Sequence, residues 1–191
     1  MPKEILLFIF DGFADWEPAF TCAEINFSNT GYIVKTVAFD KKEKTSMAGI
    51  RVIPDYSVDE VSSVFALLLL PGGYPWMEHK NDAVLPLVNY AVQNKIPVAA
   101  ICNACNFMAD NGFLDNIRHT GNTLKFMKEQ APNYKGEKLF CKQQAICDNN
   151  IITANGSAAL EFACEIFKLL KIKTKQEIIE WYTVNKKGLF Q

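Results

Sequence analysis

The chain has 191 residues, of which 49% are hydrophobic, 21% are charged and 12% are aromatic, and its formal net charge is −1. This composition excludes intrinsic disorder and fibrous architectures, and the length suits one domain over residues 1–191. Among the basic residues only Arg51 and Arg118 are arginines, so the sequence does not predict the clustered basic surface that a nucleic-acid partner requires.

A buried strand is predicted over residues 5–10, where a continuous apolar run is closed by Asp11 and Gly12. Because the chain enters this strand at once, we expect no signal peptide. No apolar run approaches the roughly 20 residues of a membrane span, so no membrane partner is expected. The six cysteines do not resemble the disulfide framework of a small secreted domain, and the sequence therefore predicts a cytoplasmic protein.

Strands and helices alternate along the rest of the chain. In order, the pattern predicts a helix over 16–29, a strand over 32–39, a charged turn over 40–45, an edge strand over 51–56, a strand over 65–70, a helix over 82–94, a strand over 96–101, helices over 103–111 and 123–130, strands over 144–147 and 151–154, a helix up to 171 capped by Ser157, and a helix over 175–184. Strands that are apolar on both faces and separated by amphipathic helices indicate a parallel sheet covered on both sides. The fold class is therefore α/β, doubly wound.

Cys102 follows the apolar strand over 96–101 and precedes a helix, with Ala100 two positions before it and Ala104 two positions after it. Small residues at these two positions are what a nucleophile elbow needs for its sharp turn to close. The helix N-terminus would lower the pKa of the thiol, so Cys102 is predicted to be a reactive thiolate. The alternatives are an inert buried cysteine and a redox dithiol formed with Cys105.

Other candidate groups lie at the same edge of the predicted sheet, because ligands bind there at the carboxyl ends of parallel strands. Glu17 precedes Pro18 at the start of a helix, where it either reaches the thiol or merely completes the first turn. Gly72 and Gly73 allow backbone amides to approach a bound group closely, which suits an oxyanion hole shared with the amide of Asn103.

Four segments taken together resemble the ThiJ/PfpI family of the class I glutamine-amidotransferase-like superfamily. These segments are Asp-Gly-Phe-Ala-Asp-Trp-Glu from residue 11, Leu-Leu-Leu-Pro-Gly-Gly-Tyr from residue 68, Ala-Ala-Ile-Cys-Asn-Ala-Cys from residue 99 and Arg-His-Thr-Gly-Asn from residue 118. The resemblance implies a flavodoxin-like sheet sandwiched by helices, a homodimer and a reactive elbow cysteine.

By position, the resemblance implies that Cys102 is the nucleophile, that Glu17 is its paired glutamate, and that Gly73 and Asn103 supply oxyanion amides. His119 is the only downstream histidine, and it is either catalytic or an ordinary loop histidine. Thr120 and Asn122 could add polar contacts. A histidine directly after the cysteine is absent here, because Asn103 occupies that position.

The sequence therefore predicts a hydrolase or amidotransferase-like enzyme that attacks a small amide, carbonyl or glycated adduct through Cys102, without a metal or cofactor. Either Glu17, held protonated by burial, or His119 would move the proton. The alternative is a stress-response or redox-sensing protein in which Cys102 is oxidised reversibly.

Overall fold

A central sheet of seven strands organises the computed structural model, which describes residues 2–27 and 29–190. The strands of the structure are β1 (Lys3–Phe8), β2 (Tyr32–Ala38), β3 (Lys44–Thr45), β4 (Arg51–Val52), β5 (Tyr56–Ser57), β6 (Leu67–Leu70), β7 (Val98–Ile101), β8 (Ala145–Asp148) and β9 (Ile151–Ala154). The order across the sheet is β5-β2-β1-β6-β7-β9-β8, and only β8 runs antiparallel to its neighbour. The predicted flavodoxin-like, doubly wound fold is confirmed.

Helices cover both faces of this sheet. They are α1 (Trp16–Phe27), α2 (Leu85–Gln93), α3 (Asn103–Asp110), α4 (Leu124–Gln130), α5 (Ala159–Leu170) and α6 (Lys175–Lys187). Helix α5 packs against α1 and α6, whereas α2 packs on β6 and β7. Position 28 of the helix predicted over 16–29 lies outside the described residues.

The four middle strands, β1, β6, β7 and β9, form the core between the two helical layers. Every residue of β6, β7 and β9 is buried, and so are the last four residues of β1. Continuous apolar sequence is required here because helices cover both faces of a parallel sheet. The carboxyl ends of these four strands therefore stand on a rigid, well-packed base.

The prediction of one continuous edge strand over 51–56 is wrong. Arg51–Val52 pairs instead with Lys44–Thr45, inside the stretch predicted as a charged turn, to form a separate two-stranded hairpin. The sheet edge is Tyr56–Ser57, which pairs with β2. Pro54 separates the two pieces, since it lacks the N–H that a continuous strand would need.

The predicted Ser157 cap is also wrong. Helix α5 begins at Ala159 with Ala158 at the N-cap position, and the Ser157 hydroxyl donates a hydrogen bond of 2.6 Å to the Asn155 side chain. Thr123, by contrast, caps α4 by accepting a hydrogen bond of 3.0 Å from the Phe126 amide. The helix predicted over 82–94 begins as a single 3₁₀ turn and becomes α-helical at Leu85, next to Pro86.

None of the helices over the described residues is both long enough and apolar enough to cross a bilayer.

Candidate active site

Four neighbouring strands each deliver one residue to a single point at the carboxyl edge of the sheet. Glu17 comes from the helix after β1, Gly72 follows β6, Cys102 follows β7 and Gly156 follows β9. Because parallel strands end together, residues far apart in sequence meet here. The sequence analysis did not single out Gly156, although its place after the strand over 151–154 was the signal that could have found it.

Cys102 occupies the sharp turn between β7 and α3. Its backbone angles are φ 60° and ψ −126°, a conformation that a residue with a side chain rarely adopts. Its amide donates a hydrogen bond of 2.9 Å to Ala154 and its carbonyl accepts one of 3.1 Å from the Cys105 amide, so both neighbours fix the turn. The strained elbow geometry predicted from Ala100 and Ala104 is present, and strain of this kind concentrates at functional sites.

Two glycines make room for the sulfur. A Cβ at Gly72 would lie 2.6 Å from the Cys102 Cβ and 2.7 Å from Glu17 Oε2, and one at Gly156 would lie 2.8 Å from the Cys102 Sγ. No ordinary side chain fits at such distances, so glycine is required at both positions by close approach.

Glu17 lies against the sulfur, which decides between the two interpretations of this residue. It is 1% exposed, and its Oε2 accepts a hydrogen bond of 2.6 Å from the Gly72 amide. A Cβ placed at Gly72 would lie 2.7 Å from this oxygen and 3.0 Å from the Cys102 Sγ, so the two groups are neighbours. The Gly72 amide is therefore committed to Glu17 and is not free to bind an oxyanion. Glu17 therefore reaches the Cys102 side chain and is more than a first-turn acidic residue.

Burial changes the acidity of both groups. It raises the pKa of Glu17 to about 7, against the opposing hydrogen bonds from Gly72 and Cys102. Burial, followed by the charge of Glu17, raises the pKa of the Cys102 thiol to about 11. This corrects the prediction of a resting thiolate: the amide of Asn103 at the helix N-terminus favours the ionised sulfur, but burial outweighs it. Between these two values the pair holds one proton and one negative charge.

Replacing Glu17 with glutamine is expected to lower the pKa of Cys102. The amide fills the same space and can accept the Gly72 hydrogen bond, but it removes the negative charge that opposes ionisation of the sulfur. The measurement is the rate of iodoacetamide labelling of Cys102 between pH 6 and 11, followed by peptide mass spectrometry. An unchanged or raised midpoint in the variant would show that Glu17 does not control the thiol.

The same carboxyl should make stability depend on pH. Its pKa rises from 4.5 to about 7 on folding, so the folded state holds the proton more tightly and the stabilisation is full below pH 4.5. It is lost as pH rises through 7, by about 3 kcal/mol of unfolding free energy. We expect urea denaturation of wild type and Glu17→Gln to show this difference. Parallel pH profiles for the two proteins would contradict the assignment.

A polar network surrounds the other side of the sulfur. The Asn122 side-chain amide donates to the Cys102 Sγ at 3.5 Å and to the Asn103 side chain at 3.4 Å, while its oxygen accepts a bond of 2.9 Å from the Gly156 amide. The Asn103 side chain donates in turn to the Gly73 carbonyl at 3.1 Å. Within the described chain, the Gly73 amide has no acceptor, so it remains available to a bound group. Asn122 is thus brought to the sulfur as expected.

His119 and Thr120 are not brought to the sulfur. Both nitrogens of the fully buried His119 ring are occupied, by the Ile117 carbonyl at 2.7 Å and by the Tyr134 hydroxyl. Burial lowers the pKa of His119, which favours the neutral form of the ring. The Thr120 hydroxyl donates to the Gln143 carbonyl at 2.7 Å. Neither residue lines the cavity at Cys102, so the structure does not bring the side chains predicted for catalysis and binding at these two positions to the sulfur.

Cys105 faces away from Cys102. It is fully buried, and its thiol points at the carbonyls of Ala100 and Ala154, at 3.3 and 3.4 Å. Burial raises the pKa of this thiol far above that of a free cysteine. The geometry gives no support to a redox dithiol.

Across residues 2–27 and 29–190, no group of three or more His, Cys, Asp or Glu side chains is arranged to hold a metal ion.

A cavity of about 360 Å³ opens above Cys102 and Glu17. Its lining includes five apolar or aromatic side chains: Trp16, Met47, Tyr74, Met77 and Phe126. Of these, only Trp16 and Tyr74 lie in segments that the sequence analysis singled out. Met47 belongs to the small hairpin and Phe126 to α4, and neither segment carried a motif. The cavity has the size and position of a small-molecule site.

Comparison with known proteins shows the family to which the chain is similar. The sequence profile of the DJ-1/PfpI family matches residues 3–169. A Bacillus subtilis protein named uncharacterized protease YoaZ is 36% identical over 96% of this chain and 91% of its own length. General stress protein 18 of the same organism is 29% identical over 78% of this chain and 85% of its own. The crystal structure of a thiJ/pfpI family protein from Bacillus anthracis superposes with a TM-score of 0.90 at 38% identity, covering 98% of this chain and 92% of the other.

Proposed function

The chain belongs to the DJ-1/PfpI family, and on that premise we propose that it is a cysteine-dependent enzyme acting on a small carbonyl or amide compound. One observation carries the proposal: the Glu17 carboxyl group accepts a hydrogen bond from the Gly72 amide and lies beside the Cys102 side chain in the lining of one cavity. A nucleophile paired with a proton acceptor of matched acidity is the arrangement that covalent catalysis needs.

The first step moves one proton and forms one bond. In the singly charged pair, the proton passes from Cys102 Sγ to the Glu17 carboxylate, and the thiolate adds to the substrate carbonyl carbon. The oxygen that becomes negative would lie near the free amide of Gly73. With an aldehyde or ketone it takes the proton from Glu17, whereas with an amide it stays negative and Glu17 keeps the proton. The product is a hemithioacetal or, with an amide, a tetrahedral adduct.

With an amide substrate the adduct must also lose its amine. Glu17 then gives its proton to the leaving nitrogen as the C–N bond breaks, which leaves a thioester on Cys102. Water hydrolyses this thioester and restores the thiol. Glu17 is the only proton carrier lining the cavity beside Cys102 and the Tyr74 hydroxyl, and no histidine lines it. Carbonyl compounds and activated amides, which demand less of the proton donor, are therefore favoured over peptide bonds, although the relative YoaZ is named a protease.

A substrate panel tests the proposal. Steady-state rates would be measured for 2-oxoaldehydes, a glutamine-like amide, an activated anilide and an unactivated peptide. We expect turnover of a carbonyl compound or activated amide with a pH profile that rises near the pKa of Glu17, about 7. Cleavage of the peptide alone, or no turnover of any compound, would overturn the proposal.

A redox-sensing role is the second candidate, because the chain is similar to General stress protein 18. Cys105 cannot act as a resolving thiol without rearrangement, since its sulfur is buried against backbone carbonyls. Mild peroxide should therefore add oxygens to Cys102 rather than form a Cys102–Cys105 disulfide. Rapid oxidation of Cys102 by peroxide, in a protein inert toward the whole panel, would favour the sensor.

A further inference from the structure

Several large apolar side chains are exposed together at the mouth of the cavity. Trp16, Met47 and Tyr74 are 47%, 42% and 61% exposed, although side chains of this kind normally gain by being buried. Met77 and Phe126 are half-buried beside them. The five side chains, which we call the rim, come from α1, the β3–β4 hairpin, the turn after β6 and α4. A concentration of exposed apolar groups around a reactive sulfur indicates a recognition surface.

The hairpin that carries Met47 is held in place by the segment after β1. The Met47 amide donates to the Phe13 carbonyl at 2.9 Å, the Ala48 amide to Asp15 Oδ1 at 3.1 Å and the Thr45 amide to Asp11 Oδ1 at 2.8 Å. Met47 therefore stands over the cavity without needing a ligand to order it. When the site is already ordered, ligand binding loses little free energy in ordering it.

The ionisable side chains that line the cavity disfavour an anionic ligand. No Lys, Arg or His lines the cavity, and Glu17 is its only carboxyl group. Glu17 and Cys102 together hold one negative charge above the Glu17 pKa of about 7. An anionic substrate would lose its hydration and would be repelled by this charge, and both effects cost free energy. No cationic side chain of the cavity lining would offset these costs.

From the rim and the charge pattern we infer that the site takes an uncharged compound whose carbonyl carries an aromatic or similarly sized apolar group. The inference rests on the proposed attack by Cys102 and adds the substrate class. A single ring fits a cavity of about 360 Å³, which lies at the small end of ligand sites. The ring would pack between Tyr74, Trp16 and Met47 while the carbonyl carbon reaches the sulfur.

Alkylation of Cys102 tests this selectivity without requiring turnover. Second-order rate constants would be measured for iodoacetamide, N-benzyl-iodoacetamide and iodoacetate, each divided by its rate with 2-mercaptoethanol. We expect the benzyl reagent to be favoured over iodoacetamide on the order of tenfold, because its ring is buried against the rim. We expect iodoacetate to be disfavoured by on the order of tenfold. Relative rates equal to those of 2-mercaptoethanol would overturn the inference.

Two rim variants and a matched control locate the effect. Met47→Ser and Tyr74→Ser should each reduce severalfold the ratio of the benzyl-reagent rate to the iodoacetamide rate measured on the same variant. Ile53→Ser should change neither, since Ile53 is 71% exposed close to the same hairpin but does not line the cavity. A preference that survives both rim variants would overturn the inference. A protein that shows the preference but turns over no substrate would instead overturn the proposed function alone.

Discussion

Replacing Cys102 with serine is expected to lower kcat/KM by at least about a thousandfold. The hydroxyl is a far weaker acid than the thiol, and Glu17, with a pKa of about 7, is too weak a base to ionise it in a buried setting. The change replaces the sulfur with a smaller, less polarisable oxygen and keeps the shape of the elbow. Initial rates with the best compound of the panel, together with the unfolding midpoint, measure the effect.

Cys105→Ser is the matched control for this variant. It alters the other cysteine of the same motif, and the new hydroxyl can donate to the same carbonyls of Ala100 and Ala154 that the thiol now contacts. Activity should remain within a few-fold of wild type. Full activity in Cys102→Ser, or equal losses in the two variants, would refute the nucleophile role of Cys102.

Gly156→Ala is expected to reduce kcat/KM on the order of a hundredfold, because a displacement of about 1 Å at a reacting atom is costly. The added methyl group would lie 2.8 Å from Cys102 Sγ and 3.3 Å from Glu17 Oε1. It must therefore push the sulfur or the carboxyl group out of its position. Overpacking of this kind also costs roughly 1–3 kcal/mol of stability. Rates and urea denaturation of the same preparation measure both effects.

Gly49→Ala is the control that separates a loss of activity from a loss of stability. Gly49 has φ +81° and an added Cβ would meet nothing within 4 Å, so alanine there strains the backbone without touching the site. It should lose stability by about 1 kcal/mol and keep its activity. If Gly156→Ala retained activity at a comparable loss of stability, the sulfur would not need its present position.

The architecture was readable from sequence because the buried strands are apolar on both faces. Residues 67–70 and 98–101 are apolar throughout and too short for buried helices, so they are predicted to be buried strands. Because ligands bind at the carboxyl ends of parallel strands, Glu17, Gly72 and Cys102 were then expected to lie together. The contact between Glu17 and the sulfur was left open because a first-turn acidic residue has an equally simple local explanation. The Glu17 carboxyl group is oriented by a hydrogen bond from the Gly72 amide, which lies 55 positions away in the sequence.

The errors have the same origin in long-range packing. The position of His119 in a loop gave no sign that its ring is fully buried against Tyr134 and Phe140. The acidity of Cys102 was predicted from the helix N-terminus alone, whereas burial and the charge of Glu17 dominate. Met47 and Phe126 were missed because they lie on short segments whose position relative to the sulfur depends on tertiary contacts.

The measurement that tests the central claim most directly is the detection of a covalent bond between Cys102 and substrate during turnover. A neutral N-acyl p-nitroanilide would be mixed with excess protein, quenched in acid after milliseconds and digested for peptide mass spectrometry, since a thioester survives acid. We predict that the acyl group appears on the peptide containing Cys102 at least as fast as nitroaniline is released in steady state. Release of nitroaniline without an acyl group on Cys102, or with the group forming more slowly than turnover, would contradict the account.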